Sequence, residues 1–162
     1  MVCCFRFWIG DVIYDIIAVL RLILDTDVLV AAIRSRSGAS WQLVDGALAG
    51  RFTLLLSVAL VLEYEAVLTR SEHLKVGLDS GDIHELLDAL LSVAQRVRNS
   101  YLWRPMLPDP NDDMVLEAAV NGNATALVTF NLRHFLPAMQ RFSCRVLLPR
   151  DALQTLREWE EG

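Results

Sequence analysis

Short, largely apolar runs at residues 20–24, 52–56, 126–129 and 145–148 constrain this chain more than any other feature. A strand with one wet face alternates polar and apolar residues. These runs do not, so each must be covered on both faces. Between them lie segments with helical spacing. Residues 28–33 continue the first run into a helix. Residues 39–49 place Trp41, Val44 and Leu48 on one side, and Gly50 is a natural stop. Residues 59–68 follow, with Ser57 as an N-cap. Residues 82–94 repeat Ile83, Leu86, Leu87, Leu90, Leu91 and Ala94, an amphipathic helix. A helix is expected over 112–120, with Asp112 or its neighbour as N-cap, and Pro149 opens a final one over 150–159. A short strand is expected at 96–98, and loops at 34–38, 74–81 and 103–111. Buried strands alternating with helices imply an α/β fold, a parallel sheet covered on both faces. The working site of such a sheet lies beyond the carboxyl ends of its strands.

Composition narrows the function. The chain has 162 residues, 54% of them hydrophobic and 22% charged, which is enough to bury a core and excludes disorder. Net charge is −5 and Lys75 is the only lysine. An acidic chain lacks the broad basic footprint of a simple phosphate-binding module. It is compatible with acids gathered around a cation. Cys3, Cys4 and Cys144 form no Cys-x-x-Cys pair, which argues against disulfides and zinc and suits a reducing cytoplasm. His73, His84 and His134 have no metal-ligand spacing. Neither a Gly-rich phosphate loop nor a Gly-x-Ser-x-Gly elbow occurs. The apolar leader is interrupted by Arg6, Asp11 and Asp15, so neither a membrane span nor a signal peptide is expected. Residues 1–20 read as an N-terminal extension outside the core, and residues 21–162 as one domain.

The placement of acids is the sharpest functional signal. Asp25 ends the first buried run, with Asp27 two residues on. Glu63 lies beyond the end of the second. Asp112 and Asp113 precede the third. Oxygen ligands of this kind suit Mg²⁺ or Mn²⁺, which activate water and stabilise phosphate charge in phosphodiester hydrolysis. Each acid also has a plainer role: Asp25 as a turn former, Asp27 as an N-cap, Glu63 on a solvated face, Asp112 and Asp113 as first-turn acids. Glu117, four residues after Asp113, is expected on the surface. Trp41 and Trp103 could stack bases but suit a core better.

These residues resemble the motifs of PIN-domain nucleases. The segment Leu24-Asp25-Thr26-Asp27-Val28-Leu29-Val30 is similar to the opening motif. Ser57 through Glu63-Tyr64 to Arg70 resembles the second motif of a bacterial subfamily. Residues 109–119, beginning Asp-Pro-Asn-Asp-Asp, resemble the third, and residues 127–135 the fourth. Residues 149–156 resemble its closing segment. The resemblance implies a PIN-like three-layer α/β/α sandwich with a central parallel sheet of about five strands. It implies a Mg²⁺- or Mn²⁺-dependent ribonuclease, the toxin of a toxin–antitoxin pair. Asp25 and Glu63 would be metal ligands and catalytic acids, and Asp113 the third, with Asp112 competing for that role. Asp27, Thr129 and Asn131 would line the site. Asn131 stands where the family often has Asp, and a neutral amide brings no charge. Arg34, Arg36 and Arg133 could steer RNA. An antitoxin and a second copy of the chain are the expected protein partners. The rival readings are a PIN-like module that holds RNA or protein without cutting, and a PIN nuclease of RNA processing.

Overall fold

The computed structural model describes residues 5–9, 12–16, 20–74, 77–98, 100–102, 104, 106–107, 109–142 and 144–161. The readings of Cys3, Cys4 and Trp103 lie outside these residues.

Five strands form one sheet: β3 (Arg21–Leu24), β4 (Thr53–Leu56), β5 (Gln95–Arg96), β6 (Ala126–Val128) and β7 (Arg145–Leu147). Their order is β5-β4-β3-β6-β7 and every pairing is parallel. Ile23, Leu24, Leu55, Leu127 and Val128 are completely buried. Adjacent strand residues point to opposite faces, so both faces carry a core, as the unbroken apolar runs require. Within the leader, β1 (Phe5–Ile9) and β2 (Val12–Ile16) pair antiparallel as a separate two-stranded sheet, which the interrupted apolar pattern did not suggest. No helix among the described residues is long and apolar enough to cross a membrane.

The chain steps outward from β3 to β4 to β5, then returns to lay β6 and β7 on the other side of β3. Right-handed crossovers then put the early helices on one face and the later ones on the other. The packing agrees. On the first face α1 (Thr26–Arg34) packs on α2 (Ala39–Leu48) and α3 (Val58–Leu68), and α3 and α2 pack on α5 (Ser80–Val93). On the second, α6 (Pro110–Asn121) packs under β3 and β4 and against α7 (Leu132–Met139). The closing α8 (Pro149–Glu161) returns to α2.

Local chemistry explains most boundaries. Ser57 caps α3, accepting from Leu60 N at 3.3 Å. Gly50, at φ +69°, ends α2 in the left-handed conformation that glycine adopts without strain. Several boundaries shift by a residue or two, and three helices differ from expectation more substantially. Helix α6 starts at Pro110 rather than Asp112, because proline suits a first helical turn whose N–H would be unpaired anyway. The short α4 (Ser71–Leu74) and the whole of α7 fall where no helix was expected. Pro137 lies inside α7 and breaks the pattern by which a helix is recognised.

Candidate active site

The strand order reverses between β3 and β6, which opens a crevice at their carboxyl ends. Leu24 lies opposite Val128, and Asp25 N donates to Val128 O at 2.9 Å, so Asp25 and Thr129 leave the sheet side by side. From α3, the buried Tyr64 hydroxyl donates to Leu24 O and fixes the end of β3. Asp25 is extended and caps α1: its Oδ1 accepts from Thr26 N at 2.8 Å. Its Oδ2 accepts from the Thr129 hydroxyl at 2.7 Å. Asp27, in the first turn of α1, reaches across to accept from Phe130 N at 3.0 Å and lies 3.3 Å from Thr129 Oγ1. Thr129 Oγ1 in turn accepts from Asn131 N at 2.9 Å. A hydroxyl has one proton, and the shorter contact gives it to Asp25.

This pair of acids is electrostatically costly. Burial, then the neighbouring charge of Asp27, push the Asp25 carboxyl from 3.8 up to about 7, against the opposing hydrogen bonds from Thr129 and Thr26. Burial also raises Asp27. The charge of Asp112 pushes both in the same direction. One buried oxygen, Asp27 Oδ1, has no hydrogen-bond partner among the described residues. Carboxylates so placed cannot all stay ionised near neutral pH unless a cation joins them.

The remaining acids divide. Asp112 faces the pair and holds His134, with Oδ2 2.7 Å from Nδ1. Asp113, one residue on, is 1% exposed and points elsewhere: its Oδ1 accepts from Met106 N at 3.2 Å and Leu107 N at 3.0 Å. It anchors the loop entering α6. Glu117, expected at the surface, is instead fully buried, with the Arg104 guanidinium on both its oxygens at 3.0 Å. The same helix face carries Asp113 and Glu117 under that loop, which is why both are inside. Glu63 is half-buried on α3, next to Tyr64, and makes no hydrogen bond or ion pair among the described residues.

Among the described residues, no three His, Cys, Asp or Glu side chains stand close enough together to hold an ion as a closed cluster. The donor chemistry nonetheless fits a hard cation: oxygen ligands only, an orphaned buried carboxylate oxygen, and repulsion that a positive charge would relieve.

Around the acids, Arg34, Asp27, Val30 and Phe130 line a cavity of about 620 Å³. The Arg34 guanidinium is 3.1 Å from His73 Nδ1. Arg36 lies over Trp41 at 5.4 Å from the ring centre, so this half-buried tryptophan packs against a cation as well as the core. Arg133 is exposed on α7 and Asn131 is exposed at its N-cap position. Sequence reasoning missed His134 and Phe130. A signal for the first was its spacing, one helical turn after Asn131. The second carries only an unremarked aromatic between two site residues.

A family model described as PIN domain matches residues 21–133, well over half of the chain. Among solved structures, the chain is similar to VapBC2 from Rickettsia felis bound to a DNA fragment from its promoter. The TM-score is 0.54 and the identity 16%, over 78% of this chain and 98% of that one, a likeness of fold. No curated protein matches the chain.

Proposed function

Because the chain belongs to the PIN-domain family, we propose that it is a Mg²⁺- or Mn²⁺-dependent endoribonuclease, the toxin of a type II toxin–antitoxin pair. The observation that carries this reading is the pair of buried Asp25 and half-buried Asp27 at the switch point, with Asp25 raised to about 7 and Asp112 repelling both. Such a group is unfavourable in an empty site and favourable around a cation.

Asp25, Asp112 and Glu63 are the residues that would hold the ion. The resemblance implies Asp113 for the third position, but its Oδ1 is engaged by two backbone amides, and Asp112 suits the role better. A bound Mg²⁺ or Mn²⁺ supplies positive charge for the phosphate oxygens and makes water a better nucleophile. The protein groups do the positioning. Thr129 fixes one Asp25 oxygen and Thr26 N the other, which leaves that carboxylate a single orientation. His134 steadies Asp112. Asp27 Oδ1 is a buried acceptor without a partner among the described residues, and its charge adds to the pull on a cation. Arg34, lining the same cavity as Asp27, can hold the RNA backbone, with Arg36 and Arg133 further out.

The VapBC2 assembly of a similar fold supports a protein partner, the antitoxin. A cytoplasmic homodimer would cover the exposed apolar residues Val58 and Leu62 on α3. The absence of a closed cluster among the described acids, together with the neutral Asn131, favours a second reading, a PIN-like module that binds RNA without cutting it. The test is RNA cleavage with Mn²⁺ or Mg²⁺ against an EDTA control, beside calorimetric titration of Mn²⁺. Metal-dependent cleavage establishes the enzyme. RNA binding with neither Mn²⁺ uptake nor cleavage establishes the module.

A further inference from the structure

We propose that the first turn of α2 is a subsite for an RNA backbone phosphate close to the scissile one, an inference that rests on the ribonuclease reading above. The first N–H groups of any helix lack intrahelical acceptors. In α1, α3 and α5 a side chain caps them: Asp25, Ser57 and Asp79. Helix α2 follows Gly38, makes no side-chain cap and has no acid in its first turn. Its positive end is therefore not neutralised from within the helix.

A second observation marks this helix end as a site. Ser40 is 4% exposed, its hydroxyl has no hydrogen-bond partner among the described residues, and it lines a cavity of about 390 Å³ together with Gly38 and Ala39. That hydroxyl is therefore free to donate to an acceptor in the hollow. Across the cavity stands Arg150, at the start of α8. The opposing charge there is Asp151, 3.3 Å from the guanidinium, but both side chains are at least half exposed, so the pair holds Arg150 weakly. Backbone N–H groups, a hydroxyl and a weakly paired guanidinium around one hollow are the chemistry of phosphate binding.

Phosphate of RNA fits better than an isolated anion because of Phe130. It lines both this cavity and the one containing Asp27, so a strand leaving the acids passes it. The residue is 51% exposed, and its ring offers a platform on which any base can stack. The recognition is sequence-independent: one backbone phosphate and one base face.

The test uses the full chain carrying Gly38→Asp. The backbone at Gly38 is extended, at φ −74° and ψ 159°, and an added Cβ would meet nothing nearer than Ser35 O at 3.4 Å. Aspartate there caps α2 and puts a negative charge where the phosphate would sit. The melting temperature should rise while affinity for a fluorescein-labelled single-stranded RNA, measured in EDTA by anisotropy, falls about tenfold. The slope of log affinity against log salt should shrink by about 0.7, one phosphate contact. Ser40→Ala should weaken the same binding several-fold. Inorganic phosphate should protect the wild type against heat more than it protects Gly38→Asp. Unchanged RNA affinity and salt slope in both variants of a protein that does cut RNA would overturn the subsite alone. Loss of phosphate protection in a protein that neither binds nor cuts RNA would overturn the RNA occupant along with the ribonuclease reading. Weakened binding of a protein partner with RNA binding intact would also overturn it.

Discussion

Replacing Asp25 by asparagine should stabilise the metal-free protein, and the gain should grow with pH. Below about pH 4 the Asp25 carboxyl is protonated in both the folded and the unfolded chain and carries no penalty. Between there and neutrality the unfolded chain releases the proton while the folded site keeps it. The native state then binds more protons than the unfolded one, so stability falls as pH rises. Above the folded value the loss is complete. A rise from 3.8 to about 7, at about 1.36 kcal/mol per pH unit, corresponds to roughly 4 kcal/mol.

Asparagine removes this penalty with little change of shape. Its Oδ1 still accepts from Thr26 N. Its Nδ2 can donate to Thr129 Oγ1, whose own proton then turns to Asp27 Oδ2, already 3.3 Å away. For a domain of this size, 4 kcal/mol is roughly 8–16 °C in melting temperature, an upper bound because the new contacts are not perfect. The assay is thermal unfolding of both proteins in EDTA from pH 4 to 8.5, followed by circular dichroism. The variant's advantage should be small at pH 4.5, widen up to about pH 7 and then level. A constant difference across that range, or a less stable variant at pH 8, would refute a buried, repelled carboxylate at this position. In metal the same variant should be inactive toward RNA.

Other perturbations separate the neighbouring acids. Asp113→Ala should cost about 2–4 kcal/mol in urea unfolding, because it strands the amides of Met106 and Leu107, whereas Asp112→Ala should leave the metal-free stability equal or higher while abolishing Mn²⁺ uptake. Glu63→Gln should leave the melting temperature in EDTA unchanged, since Glu63 has no partner among the described residues, yet lose metal-dependent cleavage. Arg104→Ala should destabilise by about 2 kcal/mol, measured in the same way, because a fully buried Glu117 loses its two-pronged partner. A chain beginning at Leu20 should keep the cooperative unfolding of the five-stranded domain, and aggregation of that shortened chain beside a stable full-length protein would show that the leader belongs to the core.

The three central strands were legible because they are buried on both faces, whereas the edge strand β7, with Arg145 exposed and Val146 and Leu147 half-buried, is less covered than its apolar run implies. Ile23, Leu55 and Leu127 sit in runs that no amphipathic helix or half-wet strand would produce. Their order was not legible from composition or period. It depends on right-handed crossovers and on which strand edges remain free, and only then does β6 come to lie beside β3. Where periodicity fails, elements disappear from view. Helix α7 is short and contains Pro137, so no element is assigned between residues 130 and 144, and His134 lies in that gap. Helix α3 is apolar nearly all round, so the pattern that marks a helix could not say which way Glu63 faces.

The same reasoning explains why two adjacent acids could not be told apart. Consecutive residues on a helix point about 100° apart, so Asp112 and Asp113 cannot share a role, and spacing along the chain does not fix the rotation of α6. That rotation is set by what α6 packs against. Val115, Leu116, Ala118 and Ala119 are buried against the sheet and α7, and this turns Asp113 and Glu117 under the incoming loop, where amides and Arg104 receive them. Asp112 is left facing β3 and β6, paired with His134. The satisfied acids are thus the ones that build the fold. The costly ones, Asp25 with a raised carboxyl and Asp27 with an orphaned oxygen, stand two residues apart at the end of β3, and Thr129, 104 residues on from Asp25, reaches both. A fold that keeps such a group at its switch point gives up stability there, a loss that a bound cation would offset.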